Sequence, residues 1–143
     1  MTATGFIINI DVPDLAAATL FYTEGLGLTV GRRFGGTVEL VGGPTPIYLL
    51  QNDAGSKALP HGETRRSYDR HWTPVHLDFV SDDVEGAVAR AVTAGAIVER
   101  PVRSEAWGRI ALLADPFGNG FCLVQFTERG YDEIGEPEPT SGA

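Results

Sequence analysis

Two side chains with acid–base chemistry, His76 and Asp78, stand two residues apart in the apolar run 73–80. Alternate residues of a strand share one face, so an imidazole and a carboxylate would lie side by side there. Such a pair could move a proton, with His76 as the acid or base and Asp78 beside it. It could equally bond a bound molecule, or satisfy only itself and the backbone. The single cysteine, Cys122, lies in a second apolar run, 121–126. As a nucleophile it would need a base to lower its pKa, and His76 would serve if the two strands faced each other. Without that help, a thiol in a strand is a small buried hydrophobe. Trp107-Gly108-Arg109 comes just before another strand. Trp107 could stack on a planar molecule, and Arg109 could pair with its anionic group. His61 and His71 fall in a polar stretch and are expected to face solvent, as are the pairs Arg32-Arg33 and Arg65-Arg66.

The elements that must position these groups follow from periodicity and turn residues. Alternation over 6–12 predicts a strand, with Ile8, Ile10 and Val12 on one side and Ile7, Asn9 and Asp11 on the other. Asp14 then caps a helix over 15–24, stopped by Gly25 and Gly27. Three strands are expected at 28–34, 37–41 and 46–52, separated by glycine turns. The order then restarts with a strand at 73–80, an Asp82-Asp83 cap and a helix over 84–94. Strands at 97–102, 107–114 and 121–126 complete it, with the turn Asp115 to Gly120 before the last. Between the two sets, 53–72 is polar and reads as a linker or lid, partly mobile.

The two sets form an internal repeat. Ile7–Asp14 matches His76–Asp83 at a spacing of 69 residues, and 47–51 matches 121–125 at 74. The reading is therefore α+β: one domain over 1–130, with βαβββ modules at 5–52 and 73–127. The acidic remainder, 131–143, is expected to be a flexible tail. Each module's helix covers one sheet face, so the two open faces are expected to curl into a shared concave cup. The pleat assigns Ile7, Asn9, Tyr48, His76, Asp78, Cys122 and Phe126 to that cup, with Trp107 and Arg109 at its mouth. Asn9 and Asp78 hold matching positions in the repeat, and either bond each other across the seam or bind a polar ligand group. Tyr48 and Phe126 read as apolar wall.

The strand-to-helix entry Asp11-Val12-Pro13-Asp14-Leu15 with Phe21-Tyr22, the strand Val75-His76-Leu77-Asp78-Phe79, and Asp115-Pro116-Phe117-Gly118-Asn119 together resemble the vicinal oxygen chelate superfamily, which includes glyoxalases, bleomycin-resistance proteins and dioxygenases. The resemblance covers roughly residues 5 to 127. It implies a glyoxalase-like fold and a homodimer. Enzymes of that superfamily bind one divalent metal through first and last strands, at positions that fall here on Ile7, Tyr48, His76 and Cys122. Only His76 matches the usual ligand types, so no metal and no other cofactor is expected. A His76–Cys122 pair would hold Zn²⁺ only with a third ligand, for which Asp78 is nearest.

Composition excludes several partners. The net charge of −8 disfavours nucleic acid, and no apolar run reaches membrane-spanning length. One cysteine and an N-terminus with neither basic nor long apolar character lead to an expected cytoplasmic location. The leading functional expectation is a metal-free protein that binds a small molecule, such as an antibiotic or other natural product. One alternative is a metal-dependent lyase, isomerase or dioxygenase. The other is a metal-free enzyme using His76 and Asp78 as catalytic residues.

Overall fold

A computed structural model describes residues 2–139, so the part of the expected tail at 140–143 lies outside the described residues. Strand β1 (Ile8–Val12) leads into helix α1 (Leu15–Leu20), followed by β2 (Thr29–Phe34), β3 (Thr37–Val41) and β4 (Ile47–Gln51). The second module repeats this with β5 (Leu77–Val80), α2 (Val84–Thr93), β6 (Ile97–Glu105), β7 (Gly108–Ala114) and β8 (Gly120–Phe126). Each module is a four-stranded mixed sheet, ordered β1-β4-β3-β2 and β5-β8-β7-β6. The first strand of each runs parallel to the last, which sets Asn9 beside Tyr48 and Asp78 beside Cys122. The doubled α+β architecture expected from the repeat is the one the chain adopts.

The helix starts show why the repeat folds twice in the same way. Asp14 accepts from the Ala17 N–H at 3.0 Å, and Asp83 from the Gly86 N–H at 3.0 Å. A cap of this kind contributes about 1 kcal/mol. The last strand of each module adds a second tie. The Gln51 side chain accepts from the Leu15 N–H, and Gln125 from the Val84 N–H, both at 3.0 Å. These glutamines end the matching segments of the repeat, and each locks a helix to its own sheet.

The first helix departs from its expected course. After Leu20 it widens into a π turn, Phe21–Gly25, which buries both Phe21 and Tyr22. Gly25 there lies so near α2 that an added Cβ would sit 2.9 Å from the Ala94 side chain. Phe21 meets Phe117 and Phe121 edge-on, and Phe121 meets Phe79. One hydrophobic core therefore joins the two modules through their helix faces. Leu49 of β4 and Leu113 of β7 are fully buried in it, and truncating either would cost about 2–5 kcal/mol.

A buried carboxylate bolts the modules together. Asp115 accepts from the Tyr22 hydroxyl at 2.6 Å, from the N–H groups of Phe117 and Asn119, and from the Asn119 side chain. Burial, then Asp115, hold the Tyr22 phenol well above its usual value, so it stays a donor.

Several expected boundaries move. Strand β1 begins at Ile8, β5 begins at Leu77, leaving 73–76 outside the ladder with a bend at Pro74, and β6 continues to Glu105. The linker 53–72 is tied down: Arg66 pairs with Asp11 at 2.8 Å, Arg70 with Glu99 at 2.7 Å, and Tyr68 donates to the Asn52 carbonyl. Its Lys57 and Arg65 also form an isolated bridge. The start of the expected tail belongs to the fold, because Gly130–Glu133 makes a 3-10 turn and Tyr131 packs on Trp107 and Phe126. No helix among the described residues is long and apolar enough to cross a membrane.

Candidate functional site

The residues assigned to the cup gather in separate groups. On the first module's sheet, Tyr48 donates to the Glu39 carboxylate at 2.7 Å and accepts from the Arg32 guanidinium at 2.9 Å. Arg32 grips Glu39 through its side chain at 2.7 and 3.1 Å and through its backbone N–H. The Arg32 side chain, then its N–H, then Tyr48 hold the Glu39 carboxyl down to about 2. The bond to Glu39 in turn raises the Tyr48 phenol. Tyr48 is thus a polar anchor and not plain wall, and Arg32, read from sequence as a solvated turn residue, is a strand residue engaged with Glu39. Ile7, Asn9, Phe34, Thr37 and Leu50 surround this closed network.

On the second module's sheet, the imidazole Nε2 of His76 lies 3.1 Å from the Asp78 carboxylate. Adjacent on β8 is the buried thiol of Cys122. Ligand atoms of all three lie within 4.8 Å of one another. Burial, and then the neighbouring Asp78 carboxylate, push the Cys122 thiol up to about 11. A thiol raised in this way is a poor nucleophile at neutral pH, which weighs against the Cys–His nucleophile reading.

Trp107 and Phe126 stand at the far end of this sheet, stacked with Tyr131 as an aromatic cap. Arg109 does not reach the cup mouth. It pairs with Glu85 on α2, because its register partner is Gln125, whose side chain caps that helix. Nor do Asn9 and Asp78 bond each other; Asp78 is engaged with His76.

Between the modules is a cavity of about 480 Å³, lined by β1 on one side and by the chain from Thr73 to Phe79 on the other. Ile8, Ile10, Leu77, Phe79 and Phe121 make its apolar walls. Asn9, His76, Asn119 and the Asp11–Arg66 pair supply polar groups, and the linker residues Ser67, Tyr68 and His71 close over it. Tyr22, bonded to Asp115, lines the same space. Of the sequence-assigned residues, Asn9 and His76 line it. Arg66, Tyr68 and His71 went unread as site residues. His71, expected to face solvent, is half-buried with its ring nitrogen 2.8 Å from the Asp69 carbonyl. The one available signal was the unusual length of the polar linker.

The oxygen-rich divalent metal site implied by the resemblance does not fit these residues. Ile7 offers no donor atom, and the Tyr48 hydroxyl is already spent on Glu39 and Arg32. What remains, beside the second module's sheet, is one imidazole, one carboxylate and one thiol. Mg²⁺ and Mn²⁺ prefer sets dominated by carboxylate, carbonyl and water oxygens.

Comparison with known proteins agrees with this architecture. The sequence model of the family described as "Glyoxalase-like domain" matches residues 7–124. A protein named "Putative glyoxylase CFP32", from Mycobacterium bovis and Mycobacterium tuberculosis, is 31% identical over 119 residues. That match covers 80% of this chain but 40% of the relative, so the chain spans about two fifths of the curated proteins it matches. Among solved structures, the fosfomycin resistance protein FosX from Listeria monocytogenes superposes with a TM-score of 0.67 at 18% identity, covering 90% of this chain and 98% of that one. TnmS3, an antibiotic binding protein from Streptomyces sp. CB03234, superposes with a TM-score of 0.62 at 24% identity, covering 89% and 100%.

Proposed function

This chain belongs to the glyoxalase-like domain family, and we propose that it binds and sequesters a small, partly apolar organic molecule in the cavity between its modules. The observation that carries this reading is the cavity itself. Its volume, about 480 Å³, falls in the range of small-molecule sites, and it has apolar walls with a few convergent polar groups. An antibiotic or other planar natural product is the class we favour; the fold shared with the antibiotic binding protein TnmS3 supports it. Asn9 and His76 would bond the polar edge of the molecule, and Phe79 and Phe121 would pack on its body. Such binding calls on no metal. The paired His76 and Asp78 keep proton transfer as the second reading, since their 3.1 Å contact suits an acid–base couple. The single cysteine, which allows no disulfide within the chain, supports a reducing location such as the cytoplasm.

A second copy of the chain is the partner we expect. Phe6, Ile7 and Phe34 on the first module and Val80 on the second are more than half exposed. Large apolar groups left exposed in this way favour burial against another surface. Sedimentation over a range of concentrations tests this, and a monomer throughout would reject it.

The binding reading is tested by thermal shift and tryptophan fluorescence against a broad panel of planar natural products. A ligand present at 100 times its Kd raises stability by about 2.7 kcal/mol, a shift easily resolved. Val75→Trp places bulk at the cavity rim on an exposed side chain, sparing the core, and should remove the shift. No response across the panel rejects the function. A response unchanged in Val75→Trp rejects the cavity as its place.

A further inference from the structure

We propose that the cavity between the modules selects neutral molecules carrying an aromatic hydroxyl, and that His71 of the linker is the acceptor that reads it. This names the ligand class of the sequestration reading and rests on that reading. His71 lines the cavity. Its Nδ1 lies 2.8 Å from the Asp69 carbonyl. A carbonyl only accepts, so Nδ1 carries the proton. The neutral imidazole then has a bare Nε2, and no group among the described residues bonds it.

The rest of the residue is fixed on every side. Its N–H donates to the Gly118 carbonyl at 3.3 Å, and its carbonyl accepts from the Arg70 guanidinium. Arg70 is held in turn by Glu99 through two bonds, at 2.7 and 2.9 Å. Two glycines let this stretch seat so closely. A Cβ at Gly118 would meet the Asp69 carbonyl at 2.5 Å, and one at Gly120 would meet the Arg70 guanidinium at 2.6 Å. An acceptor held in advance at the cavity wall loses little freedom when a ligand arrives.

Neighbouring groups agree in polarity. Tyr22 gives its hydroxyl proton to Asp115 at 2.6 Å, Tyr68 to the Asn52 carbonyl at 2.7 Å, and Thr73 to the Val75 carbonyl at 2.7 Å. All three line the cavity, and they offer it lone pairs instead of protons. Asp11 and Arg66, the carboxylate and the guanidinium that line it, pair at 2.8 Å, so their charges are already matched. The occupant these groups fit is uncharged, lies against the aromatic walls and gives a proton at its edge, which describes a phenol.

The test compares 2-naphthol, 2-methoxynaphthalene and naphthalene on the full chain at pH 8, with Kd from equilibrium dialysis. The phenol should bind at least about fivefold tighter than either analogue, the worth of one neutral hydrogen bond. His71→Asn keeps a donor near the Nδ1 position and has no atom at the reach of Nε2, so it should melt as wild type does and bind all three alike. His71→Gln, which returns an amide at that reach, should restore part of the preference. Nitrogen NMR of the histidines gives a readout apart from affinity. In the free chain His71 Nε2 should be unprotonated, and its resonance should move with the phenol and stay with the ether. A proton on Nε2, or a preference that survives in His71→Asn, overturns the inference. Equal binding of all three probes overturns it and leaves sequestration standing. Binding of none also overturns it, and the natural-product panel then decides sequestration by itself.

Discussion

Replacing Tyr22 with Phe removes one oxygen atom from the bolt between the modules. The ring stays, with its edge contact to Phe21 at 5.1 Å, so the change opens no cavity of consequence. What disappears is a 2.6 Å hydrogen bond to a buried carboxylate. Bonds to charged groups contribute about 1.5–3 kcal/mol. Asp115 keeps its two backbone donors and the Asn119 amide, so a loss near the middle, about 2 kcal/mol, is expected. For a chain of this size that lowers the melting midpoint by roughly 6–10 °C. The assay is urea unfolding followed by far-ultraviolet circular dichroism, with the slope unchanged and the midpoint reduced. The pairing is isolated by the cycle with Asp115→Asn, where a coupling of at least about 1 kcal/mol is expected between the two sites. The sign with pH is also set. The phenol is raised above its usual 10.0, so its stabilisation is complete below that pH and declines as pH rises through the folded value. Wild type should therefore lose stability in alkali more steeply than Tyr22→Phe. A midpoint that hardly moves, or an additive cycle, would refute the claim that this bond clamps the modules.

Two further outcomes follow from single close approaches. Gly118→Ala should destabilise the chain by at least about 1–3 kcal/mol for its backbone conformation alone, with φ at +87°. The new Cβ would also meet the carbonyls of Asp69 and Tyr68 at 2.5 and 2.6 Å, so residues 53–72 should become more open to limited proteolysis; unchanged melting and cleavage would contradict this. For Cys122, a thiol at about 11 instead of 9.0 implies alkylation at pH 8 slowed on the order of a hundredfold against a free thiol, with the rate climbing until pH passes about 11. Rapid iodoacetamide labelling at pH 8 of the folded chain would show the thiol to be neither buried nor raised.

The repeat made most of the fold legible. Periodicity of two placed β1 and β8, and the acids before each helix announced Asp14 and Asp83 as caps. The ladder partners of Asp78 could not be read that way, since parallel pairing of first and last strands is a long-range choice. Arg109 reads as a mouth residue from its place just before a strand, but its long-range partner Gln125, whose amide is fixed to the start of α2, sets it beside Glu85. Arg66 and His71 were hidden for another reason. Polar residues in a glycine-containing linker look the same whether they face water or a cavity, and only the ion pair with Asp11 separates the cases.

The polar groups on the two sheet faces differ in how completely they satisfy one another. On the first module, Arg32, Glu39 and Tyr48 satisfy one another through short charge-assisted bonds. A ligand or metal arriving there would first have to break bonds roughly twice as strong as neutral ones, and Glu39 remains ionised and paired down to about pH 2. The face is self-complete over the whole neutral range. On the second module the polar groups are more open: His76 and Asp78 pair at 3.1 Å, both are exposed, and they stand beside the buried thiol of Cys122. Repetition thus built two similar scaffolds whose side chains differ: one sheet face carries a closed charged network, and the other carries exposed polar groups beside the cavity at the seam.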